Sequence, residues 1–246
     1  ASVLAKGETK ITNAAREPEI EDLSNCLIKM GAKIEGHGTK TILVQGVTKL
    51  KKAEHEIISD RIVAGTYIIA ALMLNSVLEI NNFNTIYLKS LIDILKKMGA
   101  KLKVSKNSIK VFKGSKLKSS SLSTSPYPGF PTDLQAQLMS LMCISDGKSK
   151  IKETIFENRF MHVPELNRLG ANITVEKDTA TIIGNQTFKG AQVMASDLRA
   201  SISLVLAAMN ANGQTTLNRV YHLDRGYENI EKTLGSLGAK IKRQKN

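Results

Sequence analysis

The chain has 246 residues, 42% of them hydrophobic and 4% aromatic, which is enough for a folded core in one large or two ordinary domains. Its longest apolar stretch, Ile62 to Leu74, is broken by Gly65 and Thr66 and is too short to cross a bilayer, and Ala1 to Ile11 lacks a signal-peptide layout, so a cytoplasmic address with no membrane partner is expected. The formal charge of +13 invites a polyanion, yet outside Lys49–Lys52 and Lys101–Ser121 the lysines are scattered as on a solvated surface, which argues against a nucleic-acid partner.

Ala1–Ala5 reads as the tail of a small-residue helix, and Gly7–Asn13 as the strand that follows it, so the chain is expected to start inside a structural unit. Helices rich in small and apolar residues are expected at Asp60–Leu74, Asp133–Ile144 and Asp197–Met209. Each is followed by a strand, at Val77–Asn81, Lys148–Glu153 and Gln214–Asn218. A loop, a second helix and one or two further strands come next, such as Lys101–Val104 with Ser108–Phe112. Three of the five prolines, Pro126, Pro128 and Pro131, mark Ser123–Thr132 as irregular.

The second helix of each unit ends in an echo. Leu27–Ile34, Leu95–Leu102, Leu166–Ile173 and Leu234–Ile241 share a Leu, then a Gly-Ala pair, then an aliphatic residue, and their glycines Gly31, Gly99, Gly170 and Gly238 stand 68, 71 and 68 residues apart. A unit of about 70 residues has been copied, each helix ending where glycine supplies a left-handed C-cap and a short strand follows. The pattern is a repeated αβαββ unit, hence an α/β fold. A domain boundary is expected in the charged stretch Leu50–Ser59, dividing the chain into residues 1–55 and 56–246.

The three Asp residues that open the small-residue helices suit helix caps, because a carboxylate accepts backbone N–H bonds and favours the positive end of the helix dipole. Only eight residues are Arg, and Arg16, Arg159 and Arg225 recur just before the echoed helix, a regular placement of a group suited to carboxylate and phosphate. Cys26 and Cys143 lack paired spacing and read as small core residues, with no disulfide or metal site. His162 and His222 read as loop-packing residues.

Five segments are too specific for connectors: Asn13–Ile20, Pro128–Gln137, Ile155–His162, Ser196–Ser201 and Leu223–Glu228. In this order and spacing they closely resemble the C-terminal part of the bacterial UDP-N-acetylglucosamine enolpyruvyl transferases, over essentially the whole chain. That resemblance implies two inside-out α/β domains, helices within and sheets outside, residues 1–55 forming an incomplete part of the first and residues 56–246 the second. It implies transfer of the enolpyruvyl group of phosphoenolpyruvate to the sugar 3-hydroxyl with release of phosphate, without metal or organic cofactor.

By the same resemblance, Asp133 contacts the sugar hydroxyl and takes its proton, Ile155 meets the nucleotide sugar through its main chain, and Arg225 binds phosphoenolpyruvate. Arg199, with Asp197 beside it, is a second arginine holding the anion, and Arg159 and Glu17 face the cleft. The general acid, the lysine–asparagine pair that grips phosphoenolpyruvate and most uridine contacts lie in an upstream half with no counterpart here, and Cys26 and Cys143 do not replace that acid. The isolated fragment is therefore expected to be inactive. The rival readings are the shikimate-pathway enolpyruvyl transferase and a non-catalytic basic repeat module.

Overall fold

A computed structural model describes residues 1–244, which divide into two compact units, Ala1–Asp60 with Pro126–Gly129, and the remainder. In the first, a single 3-10 turn at Ser2–Leu4 precedes β1 (Glu8–Thr12), α1 (Pro18–Lys29), β2 (Lys33–Glu35) and β3 (Thr41–Gln45). Proline at the first position of α1, Glu19 and Glu21 in its first turn and Lys29 in its last all suit the helix dipole. Both β1 and β2 run antiparallel to β3, giving the order β1-β3-β2 over a small core of Val3, Ala32, Ile34, Ile42 and Val44.

The second unit repeats that plan. Its first copy is α2 (Arg61–Met73), β4 (Leu78–Asn81), α3 (Lys89–Lys97), β5 (Leu102–Val104) and β6 (Ser108–Val111), with sheet order β4-β6-β5. After β7 (Leu122–Ser123) come α4 (Gln135–Ile144), β8 (Lys148–Lys152), α5 (Val163–Arg168), β9 (Asn172–Glu176) and β10 (Thr179–Ile183), ordered β7-β8-β10-β9. β11 (Gln192–Met194), α6 (Leu198–Asn210), β12 (Thr216–Asn218) and α7 (Ile230–Ser236) complete it, β11 and β12 pairing in parallel. In the three full sheets the last strand of the copy lies between the other two.

Helices α2, α4 and α6 are apolar on nearly all sides and almost wholly buried, as a helix must be when it is enclosed by other elements. α2 packs closely on the turn that leads into α4: a Cβ on Gly65 of α2 would stand 2.8 Å from Leu134 Cδ1. The outer elements are one-sided. α3 buries Leu91, Ile92 and Leu95 and ends in Lys96 and Lys97. β8 alternates exposed Lys148, Lys150 and Lys152 with buried Ser149 and Ile151.

The echo is a repeated hydrogen-bond motif. Gly31, Gly99, Gly170 and Gly238 have φ between +97° and +100°. In every copy the glycine N–H bonds three residues back and the following alanine N–H bonds to the leucine five back, as in Ala32 N to Leu27 O and Ala239 N to Leu234 O. This is the Schellman closure of a helix. The expected strand follows in three copies. Among the described residues none follows Gly238.

Two expectations are corrected. Asp133 does not start a helix: it sits inside a 3-10 turn, Thr132–Leu134, set up by Pro131, and α4 begins only at Gln135. Cys143 is core, its thiol pushed up to about 12 by burial, whereas Cys26 is half-buried on α1.

Candidate functional site

Within the second unit, the 3-10 turn before α4 and the first turn of α6 bring three of the candidate side chains together. Asp197 is a true N-cap: its Oδ1 accepts from Arg199 N at 2.7 Å and Ala200 N at 3.3 Å. The cap fixes the start of α6, and from there the Arg199 guanidinium reaches Asp133, with Nε 2.6 Å and Nη2 2.5 Å from Oδ1. Both partners remain accessible, 30% for Arg199 and 44% for Asp133. The arrangement is a solvent-facing carboxylate with a cation alongside.

Arg159 belongs to the same field. Its guanidinium is held below its ordinary pKa first by burial and then by the like charge of Arg199, against the pull of Asp133, Glu153 and Asp197. It lies 4.2 Å from the centre of the Phe156 ring, and its Nη1 is buried without a hydrogen-bond partner. Ile155 is half-buried, its N–H donating to Glu153 Oε1 at 2.9 Å. An open groove of about 1090 Å³ runs along this segment, lined by Glu153, Ile155, Phe156, Arg159, Met161 and Lys177 among others.

Two candidates stand apart from the cluster. Arg225 is exposed at the end of the 3-10 helix Val220–Arg225, and no hydrogen bond or ion pair joins it to Asp133 or Arg199. Glu17 lies in the first unit, where it precedes α1 and accepts from Tyr127 N at 3.4 Å, while Arg16 Nη2 donates to Tyr127 O at 3.0 Å. Among the described residues, no group of three or more His, Cys, Asp or Glu is placed to hold a metal ion, and no helix is long and apolar enough to cross a membrane.

The sequence pattern of EPSP synthase (3-phosphoshikimate 1-carboxyvinyltransferase) matches residues 1–234. The chain belongs to the EPSP synthase family. A UDP-N-acetylglucosamine 1-carboxyvinyltransferase of Azorhizobium caulinodans is 54% identical over 99% of this chain, and one of Pelagibacter ubique is 52% identical over 99%. The chain spans 57% and 58% of those relatives. Among solved structures, the enolpyruvyl transferase NikO of Streptomyces tendae superposes with a TM-score of 0.89 at 28% identity, over 98% of this chain and 58% of that one. An EPSP synthase of Acinetobacter baumannii, TM-score 0.76, covers all of this chain and 60% of its own, and at 19% identity speaks to the fold alone.

In this member of the family the structure adds residues that motif reading passed over. Glu153, 4% exposed at the end of β8, accepts from Thr124, Thr132, Ile155 and Phe156. Behind Asp133, the Gln137 amide donates to the Asp133 carbonyl at 2.8 Å and to Thr66 Oγ1 at 3.3 Å, and Thr66 meets the Tyr227 hydroxyl at 2.7 Å. Gln137 and Tyr227 lie inside two of the distinctive segments, which was the available signal. Glu153 lies just before the Ile155–His162 segment, and Thr66 is far from all five.

Proposed function

We propose that this chain is the C-terminal part of an enolpyruvyl transferase that moves the enolpyruvyl group of phosphoenolpyruvate onto the 3-hydroxyl of UDP-N-acetylglucosamine, with release of phosphate. The reaction serves peptidoglycan synthesis in the cytoplasm. The names of the relatives above support the substrate pair, and the Asp133–Arg199 pair is the single observation that carries the chemistry. Residues 1–55 would contribute to the first domain of the complete enzyme and residues 56–246 would form the second.

The hydroxyl oxygen attacks the phosphate-bearing enol carbon of phosphoenolpyruvate while losing a proton, so a carboxylate with a free oxygen within reach is required. Asp133 offers Oδ2, because Arg199 engages Oδ1. An acid from the upstream part protonates the methylene carbon, and phosphate then leaves the tetrahedral adduct as the new methyl group gives up a proton, which restores the carbon–carbon double bond. Arg199 and Arg225 meet the carboxylate and phosphate of phosphoenolpyruvate, and Arg159 adds positive potential at the cleft wall. As Asp133 accepts the proton, its hold on Arg199 weakens, which releases the guanidinium toward the anion. Ile155 contributes its main-chain carbonyl to the sugar, since its N–H is committed to Glu153. Asp197 holds the start of α6.

The test is phosphate release from phosphoenolpyruvate dependent on UDP-N-acetylglucosamine, by this chain alone and mixed with a separately produced upstream half. Turnover in the mixture only is expected. Turnover by the chain alone would remove the need for an upstream acid, and silence from a folded mixture would overturn the reading.

A further inference from the structure

Glu153 is a buried carboxylate whose acceptor capacity is filled by three separate stretches of chain. Oε1 accepts from the Thr124 hydroxyl at 2.8 Å and from the backbone N–H groups of Ile155 at 2.9 Å and Phe156 at 3.4 Å. Oε2 accepts from the Thr132 hydroxyl at 2.8 Å. A carboxylate has about four lone-pair sites, and a charged one is kept in an interior only when such bonds replace water. No ion pair to Glu153 is present among the described residues.

The donors matter more than their number. Thr132 is the neighbour of Asp133 in the same 3-10 turn. Ile155 and Phe156 open the segment that carries Arg159 and lines the groove. Thr124 closes the knot: its hydroxyl also accepts from Thr154 N at 2.9 Å, and its carbonyl accepts from the Thr154 hydroxyl at 2.5 Å. One side chain therefore ties the turn bearing the carboxylate to the main chain bearing the Ile155 carbonyl.

We infer that Glu153 is a positioning residue: its two oxygens set the Thr132–Asp133 turn and the Ile155–Phe156 main chain in one geometry, so that the base and the sugar-binding carbonyl are aligned before substrate arrives. The catalytic part of this inference rests on the function proposed above. Preorganisation of this kind is costly to lose, since a displacement of about 1 Å between reacting groups lowers a rate by up to about a hundredfold. A purely structural Glu153 would instead lose stability and activity in parallel.

Two measurements separate these cases. In this chain, amide hydrogen exchange should show Ile155 and Phe156 protected, and Glu153→Ala should abolish that protection while the amides of Ile151 and Ile182 stay protected. Free exchange at Ile155 and Phe156 in the unchanged chain overturns the inference whether or not the proposed reaction occurs. In the reconstituted enzyme, Thr132→Val should lower kcat about tenfold with the KM for phosphoenolpyruvate within twofold of the parent, and Thr132→Ser should restore it. Unchanged kcat in folded Thr132→Val, or a loss no larger than the unfolded fraction measured by circular dichroism, overturns the inference. Absence of turnover in the unchanged enzyme counts against the proposed reaction, and the exchange experiment then decides the role of Glu153.

Discussion

Arg199 grips Asp133 by one oxygen only: Nε and Nη2 both point at Oδ1, at 2.6 and 2.5 Å, and Oδ2 takes no hydrogen bond among the described residues. A structural ion pair would gain more from a two-oxygen fork. The pair is also accessible, and exposed pairs contribute about 0–1 kcal/mol to stability.

Asp133→Ala should therefore leave the thermal midpoint within a few degrees of the parent, while lowering turnover of the reconstituted enzyme by about 10² to 10⁴, the usual span for a general base. Steady-state kinetics beside a thermal melt checks both halves. Near-normal turnover would remove Asp133 from the mechanism.

The repeat was legible because it is written locally. A Schellman end needs a glycine with positive φ and a leucine five residues before the alanine, and both are visible in a single octet such as Leu95–Leu102. Asp197 was legible as a cap for the same reason. Asp133 was not, since its place in a 3-10 turn depends on Pro131 before it and on Arg199, 66 residues away. Glu153 was invisible too: two of its four donors, Ile155 and Phe156, are close in sequence, but Thr124 and Thr132 are 29 and 21 residues away, and nothing in a lone Glu at a strand end announces burial. The cluster around Asp133 is legible only through the resemblance of long segments, not through composition or spacing.

His162 should give the second unit a pH-dependent stability. It is 2% exposed, and burial holds its imidazole down to about 4, with the Asp197 carboxylate pulling weakly the other way. Its ordinary value is 6.5, so the unfolded chain binds the proton that the folded chain refuses. The stability contributed is complete above pH 6.5 and is lost as pH falls from there toward about 4, a change of about 3 kcal/mol. Denaturant unfolding at several pH values in that window should show the slope, and His162→Gln should flatten it. A parent chain equally stable at both ends would contradict a neutral buried His162.

The echoed glycines should differ in sensitivity although their φ values nearly coincide. Alanine at Gly238 meets nothing within 4 Å and carries only the left-handed penalty of about 1–2 kcal/mol. Alanine at Gly99 would also place its Cβ 2.9 Å from the Lys116 carbonyl oxygen, a backbone atom that cannot swing aside. Gly99→Ala should therefore lower the thermal midpoint more than Gly238→Ala. The reverse order would show that α3 can shift its end freely.

The buried polar chain behind Asp133 sets a second ordering. Thr66 donates its hydroxyl to the Ile62 carbonyl at 2.9 Å, so it acts as acceptor toward both the Tyr227 hydroxyl and the Gln137 amide. Thr66→Val removes that shared acceptor and so deletes two buried hydrogen bonds at once, each worth about 1 kcal/mol. Tyr227→Phe removes one donor and leaves Thr66 still bonded to Ile62 and Gln137, a cost of about 1 kcal/mol. Thr66→Val should thus be the more destabilising in denaturant unfolding. The double variant should cost less than the sum of the two, because both changes delete the same bond. Strict additivity would mean that Thr66 and Tyr227 do not share a hydrogen bond in solution.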